Sequence, residues 1–237
     1  MSEPRPRVAI LVFPGSQDER DAAWALTAVG ADPVLVWHAE TELPALIGAV
    51  VLPGGFSYGD YLRCGAIARF SPAMRAVASF AGDGGPVLGI CNGFQILCEA
   101  GLLPGVLRPN AALSFVCRDV VVVVENAATP FTRRCELGQR LTIPVKHGEG
   151  CYHAPPELLG ELEASGRVVL RYADGDNPNG STAGVAGVLS EAGNVMGLMP
   201  HPEHAVDPLL GSGDGALILA SLVEAAAGRL FATATPT

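Results

Sequence analysis

Short apolar runs alternate with amphipathic stretches in the first half of the chain. The pattern predicts helices over 18–29 and 71–80, each lying between two apolar runs. A third helix over 92–100 follows directly on an apolar run and ends at Gly101. Buried parallel strands are predicted at 7–13, 33–37, 49–52 and 86–90. This strand–helix–strand alternation predicts a parallel sheet with right-handed crossovers.

The second half of the chain predicts more strands and fewer helices. In the first half, the helix over 71–80 is predicted to begin at Ser71-Pro72, with a hydroxyl N-cap and proline at the first helical position. The runs 186–189 and 195–199 flank a short polar turn and predict a hairpin. Further strands are predicted at 113–125, 140–145 and 168–172, and helices at 156–165 and 214–227. Because no repeat or linker interrupts the sequence, we expect a single domain over 1–237, an open, mostly parallel α/β sheet flanked by helices.

Composition narrows the class of protein. The 237 residues are 49% hydrophobic, which is enough for one large core. No apolar run approaches the ~18 residues of a membrane helix, and the N-terminus lacks a secretion signal. The six cysteines form no C-x-x-C pair, so we expect reduced thiols in a cytoplasmic protein.

The net charge and the lysine content argue against two kinds of ligand site. The net charge of −9 argues against a nucleic-acid partner, because phosphate binding needs a basic surface. Charged residues make up only 16% of the chain, which is compatible with an apolar surface that a protein partner covers. Lys146 is the only lysine and does not lie in a Gly-Lys-Ser/Thr sequence, so the chain has no Walker A loop for ATP.

The first candidate for chemistry is Cys91, at the junction of the fourth strand and its helix. It lies in Gly89-x-Cys91-x-Gly93, the pattern of a strand–turn–helix nucleophile elbow with cysteine in place of serine. A turn this sharp leaves no room for side chains beside the nucleophile. The helix N-terminus stabilises a thiolate and offers the Asn92 N–H to an oxyanion. The alternative is that Cys91 is a small core residue.

A glycine-rich loop, 53–65, follows the third strand, where open α/β sheets bind ligands. The Gly55 N–H is the candidate for a second oxyanion donor, and an ordinary tight turn is the alternative. The loop lacks the G-x-G-x-x-G of dinucleotide sites. Gln95, Phe115 and Arg118 are the candidate substrate-binding residues. Arg118 could hold a carboxylate bidentately, although a surface arginine is the alternative.

The second half of the candidate site is His201-Pro202-Glu203, after the last predicted strand. In an extended chain His201 and Glu203 project to the same side, which gives a base and an orienting carboxylate for Cys91. One alternative is a histidine that caps a turn. Another is a metal site of His201, Glu203 and His204, but the spacing is not H-E-x-x-H and the prolines oppose a helix. His147 beside Glu149 suggests a metal site or an acid/base pair, but one His and one Glu are too few ligands, so we expect a structural or substrate-shaping loop there and no metal.

Several motifs together resemble one enzyme class. Gly89-Ile90-Cys91-Asn92-Gly93-Phe94-Gln95 and His201-Pro202-Glu203 resemble the two signatures of class I (triad) glutamine amidotransferases. The segments 53–66, 146–150, 177–181 and 193–203 are similar to the glutaminase subunits of phosphoribosylformylglycinamidine synthase. The resemblance runs in order over 8–222. Cys151 and His204 stand where that family commonly has arginine, which bears on the charge of the partner face.

The resemblance implies a class I amidotransferase-like (flavodoxin-like) fold and a role for each motif. Cys91 attacks the carboxamide of L-glutamine, His201 acts as base and then as acid, and Glu203 orients His201. The N–H groups of Gly55 and Asn92 hold the oxyanion, and water hydrolyses the thioester. The ammonia passes to a separate synthetase subunit that uses ATP and Mg, with a small third subunit bridging the complex. The resemblance implies no cofactor in this chain.

Three rival hypotheses remain open at this point. The chain could supply ammonia to a different synthetase, although the loop 53–65 argues against this. It could be a binding module that has lost its activity, which the intact Cys91, His201 and Glu203 oppose. It could also be a cysteine hydrolase or redox sensor that works without a partner. We expect instead that the chain alone is a poor glutaminase.

Overall fold

The computed structural model describes residues 5–234, with side chains up to residue 230. The first four residues, on which the expectation of no secretion signal partly rests, lie outside that range. The helices are α1 (Glu19–Ala28), α2 (Pro72–Gly82), α3 (Asn92–Glu99), α4 (Pro156–Ala164) and α5 (Gly215–Ala234). The strands are β1 (Arg7–Val12), β2 (Asp32–Trp37), β3 (Ile47–Leu52), β4 (Val87–Ile90), β5 (Val106–Arg108), β6 (Val116–Val124), β7 (Arg140–His147), β8 (Cys151–His153), β9 (Val168–Tyr172), β10 (Val185–Leu189) and β11 (Val195–Leu198).

One large sheet carries the fold. Its nine described strands lie in the order β2-β1-β3-β4-β11-β10-β9-β6-β7. The strands from β2 to β11 are parallel, and those from β11 to β7 pair antiparallel. Every residue of β3 and β4 is buried, as expected for central strands of a parallel sheet covered on both faces. The α/β prediction is confirmed, and so is the hairpin of β10 and β11.

The register brings three loops to one edge of the sheet. Ile90 pairs with Leu198 and Gly89 with Leu52, so β3, β4 and β11 end side by side. The segments that follow them are the glycine-rich loop, the Cys91 turn and the His201 turn. The end of β7 reaches the same region, because the His201 N–H donates to the Pro144 carbonyl at 2.8 Å. This edge is where open α/β sheets place their ligands.

The structure differs from the sequence prediction in several local features. The Ser71 side chain does not cap α2, because its hydroxyl lies 3.0 Å from the Tyr58 hydroxyl instead. Strand β6 begins at Val116, three residues later than predicted, since Leu113 has a φ of 51° that breaks an extended chain. Helix α5 is longer than predicted, and the two-stranded sheet of β5 and β8 was not predicted. Among the described helices, none combines the length and apolar character needed to cross a membrane.

Candidate active site

Cys91 occupies a strained backbone position between β4 and α3. Its φ and ψ are 50° and −104°, a region that non-glycine residues rarely adopt. The Cys91 N–H donates to the Leu198 carbonyl at 2.8 Å, which ties the turn to β11. The residue is 5% exposed. This geometry is that of a nucleophile elbow, in which strain presents the side chain at the top of the sheet.

The two glycines of the elbow are required by contact with their neighbours. A Cβ added at Gly93 would lie 2.0 Å from the Leu52 carbonyl oxygen. A Cβ at Gly89 would lie 2.5 Å from Leu97 Cδ1 and 2.7 Å from the Gly93 carbonyl carbon. All three distances are far below ordinary van der Waals contact. The prediction that side chains do not fit beside this turn is confirmed.

His201 and Glu203 form a buried pair. His201 Nδ1 lies 2.6 Å from Glu203 Oε1, and the two residues are 0% and 2% exposed. Their chain is not extended as predicted: Pro202–His204 form a 3-10 turn. Proline is well suited to the first position of a helical turn, and this explains the difference. The turn nevertheless brings both side chains together.

The charges around His201 favour its protonated form. Burial by itself lowers the pKa of His201, but the charges of Glu203 and Cys91 outweigh burial and raise that pKa to about 10. His201 Nε2 has no hydrogen-bond partner among the described residues. Cys91 contributes to the raised pKa of His201 both through its charge and through a side-chain contact, and its Sγ also lies 3.8 Å from the Lys146 carbonyl oxygen. The arrangement fits a thiolate–imidazolium pair.

Asp18 is a buried residue of this site that the sequence analysis missed. Its Oδ2 lies 3.6 Å from His201 Nδ1, and its Oδ1 lies 2.5 Å from Lys146 Nζ and 3.4 Å from His204 Nε2. Burial raises the pKa of Asp18, but His204, His201 and Lys146 outweigh it and hold the pKa well below its usual range. His201 thus has two carboxylate neighbours, Glu203 and Asp18. The single lysine was the only sequence signal for this cluster.

Asp18, His201, Glu203 and His204 also have the donor types of a metal site. Their ligand atoms lie within 4.8 Å of one another. However, the Lys146 ammonium already contacts the Asp18 carboxylate at 2.5 Å and supplies positive charge there. His201 Nδ1 is likewise engaged by Glu203. The arrangement therefore fits a network around a charged histidine better than a metal centre.

A cavity of about 180 Å³ opens beside Cys91. Four of the predicted site residues line it, together with residues from the glycine-rich loop and the end of β7. The lining residues are Gly55, Phe56, Asp60, Cys64, Cys91, Gln95, Phe115, Lys146, His147, Gly148 and Glu149. The elbow, the glycine-rich loop and the end of β7 thus line a single cavity.

Hydrogen bonds of Asn92 and Gln95 stabilise one wall of this cavity. The Asn92 amide donates to Gln95 Oε1 at 2.8 Å, and its Oδ1 accepts from the Ser57 N–H at 3.2 Å. Gln95 Nε2 donates to the Glu149 carbonyl at 2.7 Å. Both polar ends of the Gln95 side chain are therefore engaged within the protein. Gln95 can contact a substrate only by exchanging one of these bonds.

Arg118 does not line the cavity. Its guanidinium bonds Asp176 Oδ1 at 3.1 Å and the Asp119 carbonyl at 2.9 Å, and its side chain is 43% exposed. Its guanidinium is committed to the loop that carries Asp176. The surface-arginine alternative describes it, and the substrate-binding role is not supported.

His147 is a neutral, buried neighbour of the site. Asn179 Nδ2 lies 3.0 Å from His147 Nε2. Burial, with the charge of His201, lowers the pKa of His147 to about 4. The ring is uncharged at neutral pH, which fits a structural role in the loop rather than the acid/base role considered for His147 and Glu149.

Cys151 and His204, which stand where the family commonly has arginine, lie in different parts of the structure. The Cys151 thiol lies 3.2 Å from the Gly180 carbonyl, at the start of β8. His204 joins the Asp18 cluster and is also 3.9 Å from Asp21. Of the two, only His204 therefore touches the network behind His201.

Comparison with known proteins agrees with this geometry. Residues 5–213 match the family described as the CobB/CobQ-like glutamine amidotransferase domain. The phosphoribosylformylglycinamidine synthase subunit PurQ of Rubrobacter xylanophilus is 59% identical over 220 residues, which cover 93% of this chain and 99% of that protein. The same subunit of Rhodopseudomonas palustris strain BisB18 is 58% identical over 224 residues, covering 91% of this chain and 96% of that protein.

Solved structures show the same relationship. A chain in the structure of PurLQS from Thermotoga maritima superposes with a TM-score of 0.85 at 44% identity, covering 93% of this chain and 98% of that one. Another glutamine amidotransferase from Thermotoga maritima has a TM-score of 0.58 at 17% identity, covering 95% of this chain and 98% of that one, and so shows the shared fold. With its elbow cysteine and buried His–Glu pair, this chain belongs to the CobB/CobQ-like glutamine amidotransferases and, among them, to the PurQ subunits of phosphoribosylformylglycinamidine synthase.

Proposed function

We propose that this chain hydrolyses L-glutamine at Cys91 and supplies the ammonia to a synthetase subunit, as the glutaminase subunit of phosphoribosylformylglycinamidine synthase. The observation that carries the proposal is the buried His201–Glu203 pair, 2.6 Å apart, at the same sheet edge as the strained Cys91. The relatives named PurQ favour this synthetase over another ammonia acceptor.

The first half of the reaction forms a thioester. The Cys91 thiolate attacks the side-chain amide carbon, and the N–H groups of Gly55 and Asn92 hold the resulting oxyanion. Imidazolium His201 gives its Nε2 proton to the leaving nitrogen, so ammonia departs when the carbon–nitrogen bond breaks. Glu203 holds Nδ1–H and keeps the ring in the required orientation.

The second half regenerates the enzyme. Neutral His201 takes a proton from water, which attacks the thioester carbonyl. The same two N–H groups hold the second oxyanion, and the carbon–sulfur bond then breaks. The new carboxyl group loses its proton to solvent, glutamate leaves, and Cys91 and His201 return to the thiolate–imidazolium state. The cycle consumes one water and needs no cofactor in this chain.

The ammonia acceptor is a separate subunit. The partner synthetase would use ATP and Mg to amidate formylglycinamide ribonucleotide, and a small third subunit would bridge the complex, all in the cytoplasm. Exposed apolar side chains along the loop between β3 and α2 support a protein partner near the cavity mouth. We name this surface the apolar rim; it comprises Phe56, Tyr61, Leu62, Ile67 and Phe70.

Covalent labelling with 6-diazo-5-oxo-L-norleucine tests the proposal. This diazoketone resembles glutamine, and a thiolate at the site is alkylated by its diazo-bearing carbon, which gains a proton and loses N2. Peptide mass spectrometry should find the label on Cys91, and adding the synthetase subunit, formylglycinamide ribonucleotide and ATP should increase it. Cys91→Ala should not be labelled. Label elsewhere, or none under either condition, would contradict the proposal.

A further inference from the structure

Lys146, the only lysine in the chain, contacts both halves of the active site. Its backbone carbonyl oxygen lies 3.8 Å from Cys91 Sγ, and its side-chain Nζ lies 2.5 Å from Asp18 Oδ1. The other carboxylate oxygen, Asp18 Oδ2, lies 3.6 Å from His201 Nδ1. Lys146 is therefore next to the nucleophile through its backbone, and one carboxylate separates its side chain from the histidine. The reaction steps above give Lys146 no role.

The surrounding backbone holds the Asp18 carboxylate against His201. The N–H groups of Gln17 and Asp18 both donate to the Gly54 carbonyl, at 3.2 and 3.3 Å. A Cβ added at Gly54 would lie 2.3 Å from Asp18 Oδ2 and 2.7 Å from His201 Cε1, so only glycine permits this close approach. Because the carboxylate is fixed beside the ring, its charge acts on His201 unless a cation offsets it.

The turn that carries His201 and Glu203 packs against α1, β7 and α5. The titratable groups that these elements, their flanking residues and the elbow place around His201 are Cys91, Asp18, Asp21, Lys146, His147, Glu203, His204 and Asp214. Burial, with the charge of His201, lowers the pKa of His147 to about 4, so that ring is neutral. Asp21 lies 3.9 Å from His204, and Asp214 accepts from the Thr142 N–H at 2.7 Å. Asp18 is shared by His204, at 3.4 Å, and by Lys146, which is the only ammonium of this group.

His201 has two opposite tasks in the reaction. As imidazolium it gives its Nε2 proton to the leaving ammonia, and as neutral base it takes a proton from the water that hydrolyses the thioester. Glu203 and Asp18 both favour the imidazolium by their negative charge. If both acted at full strength, the ring would take up a proton from solvent at the thioester stage, and no base would remain for the water. A cation on Asp18 reduces that tendency.

We propose that Lys146 is a positioning residue of the glutaminase reaction, whose ammonium holds Asp18 and offsets its charge so that His201 can act as the base in thioester hydrolysis. The inference rests on the proposed function and deepens it, since Lys146 acts through Asp18 rather than on glutamine. The side chains of Lys146 and Asp18 are 34% and 4% exposed, so solvent screens the pair only in part.

The pH dependence of Lys146→Met tests the proposal, with the full chain assembled with its synthetase subunit, formylglycinamide ribonucleotide and ATP. Methionine has no charge, so Asp18 is left without its ammonium and the pKa of His201 rises at the thioester stage. The acid limb of kcat should move to higher pH by about one unit, and kcat should fall about tenfold at neutral pH and recover at alkaline pH. Rapid acid quenching with mass spectrometry should find more thioester on Cys91 than in the unmodified chain.

The KM for glutamine separates this role from a contact with the substrate. When thioester hydrolysis limits turnover, kcat and KM fall together and kcat/KM changes little, whereas loss of a glutamine contact raises KM. Lys146→Arg keeps the positive charge and should keep the acid limb where it is in the unmodified chain. Arg140→Met removes an exposed cation at the start of the same strand and should change neither kcat nor the limb.

A double variant tests whether Lys146 acts through Asp18. In an Asp18→Asn background there is no carboxylate for the lysine to offset, so adding Lys146→Met should not move the acid limb to higher pH. An equal upward shift in both backgrounds would show that Lys146 acts by another route, and would overturn the proposal.

The remaining outcomes separate the inference from the proposed function. If Lys146→Met lowers kcat equally at every pH, or raises KM, the positioning role is wrong. Because the chain has one lysine, acetylating the folded protein with an N-hydroxysuccinimide ester repeats the test without a substitution, and should shift the limb as Lys146→Met does. Lys146→Arg treated in the same way controls for the N-terminal amine. If the unmodified complex releases no glutamate from glutamine, the proposed function fails instead.

Discussion

His201 lies between a nucleophile and two acidic groups. Glu203 is 2.6 Å from its Nδ1, and Asp18 is 3.6 Å from the same atom. Together with Cys91 these charges favour the imidazolium, although complete burial opposes it. The charge state of Cys91 and His201 before substrate binds is therefore set by their mutual interaction and by the buried carboxylates beside His201.

Replacing Cys91 with serine should lower the pKa of His201. The thiolate charge contributes to the raised pKa, and a serine hydroxyl carries no charge at neutral pH. An NMR titration of the imidazole resonances should show deprotonation at lower pH in Cys91→Ser. Cys117→Ser, at an exposed cysteine on β6, is the control and should leave the titration unchanged. An unchanged His201 titration in Cys91→Ser would contradict the ion pair.

Asp18→Asn should weaken glutamine hydrolysis and shift its pH dependence. The negative charge of Asp18 favours protonated His201, so its loss lowers the pKa of His201. The alkaline limb of kcat/KM for glutamine should move to lower pH, and kcat/KM should fall on the order of tenfold. Asp21→Asn removes a more exposed carboxylate, 3.9 Å from His204, and should leave both quantities unchanged. A fall in kcat/KM without a shift of the limb would show that Asp18 only supports the fold.

The sequence predicted some of these residues and missed others for a physical reason. Cys91 lies in a local glycine pattern, and His201 and Glu203 are two residues apart, so short motifs reveal all three. Asp18 and Lys146 are 128 residues apart and meet only through the sheet.

At the scale of elements, the site depends on close packing of α3 against the strand ends. Gly93, in the first turn of α3, lies against the Leu52 carbonyl of β3, and Gly89 lies against Leu97 of α3. These contacts fix where the helix N-terminus points and hence the direction of the Asn92 N–H. A small displacement of α3 would therefore change the position of the Asn92 N–H at the oxyanion site.

Gly93→Ala should destabilise the protein and abolish glutaminase activity. Its new methyl group would lie 2.0 Å from the Leu52 carbonyl, so α3 or β3 must move. We expect a loss of about 2–4 kcal/mol in the free energy of unfolding, measured by urea denaturation. Gly160→Ala, in α4, is the matched control: its methyl group meets no atom within 4 Å, so it should be neutral or stabilise by about 1 kcal/mol. Equal stability of the two variants would contradict the packing argument.

The elements themselves were predictable where the apolar pattern was long. Strands β1, β3 and β4 are buried runs and appear within three residues of their predicted bounds. The strands β5 and β8 have three residues each, too few for a period to be recognised. The turn at Pro202–His204 was predicted as extended, because proline is compatible with both geometries.

For the whole molecule, the apolar rim connects the cavity with a protein partner. Phe56 belongs both to the rim and to the cavity lining, and its ring lies 6.5 Å from that of Phe115. A partner that covers the rim would also close the cavity mouth. This position offers a physical route by which the synthetase subunit could exclude water and favour the reactive geometry.

Leu62→Asp should weaken binding of the synthetase subunit by about tenfold or more. Leu62 is 84% exposed in the rim, and a charge placed in an interface must be desolvated. Leu137→Asp is the control: Leu137 is 73% exposed but precedes β7, whose other end reaches the cavity. Binding measured by titration calorimetry should be unchanged in the control. A similar loss in both variants, or in neither, would place the interface elsewhere.

The central claim is that Cys91 generates ammonia for a synthetase reaction that does not itself need Cys91. The most direct measurement is formation of formylglycinamidine ribonucleotide by the assembled complex containing Cys91→Ala, with either glutamine or ammonium as nitrogen source. We predict that glutamine-dependent synthesis falls by about 10³-fold or more while ammonium-dependent synthesis is retained. Retained glutamine-dependent synthesis, or loss of both reactions in a complex that still assembles, would contradict the claim.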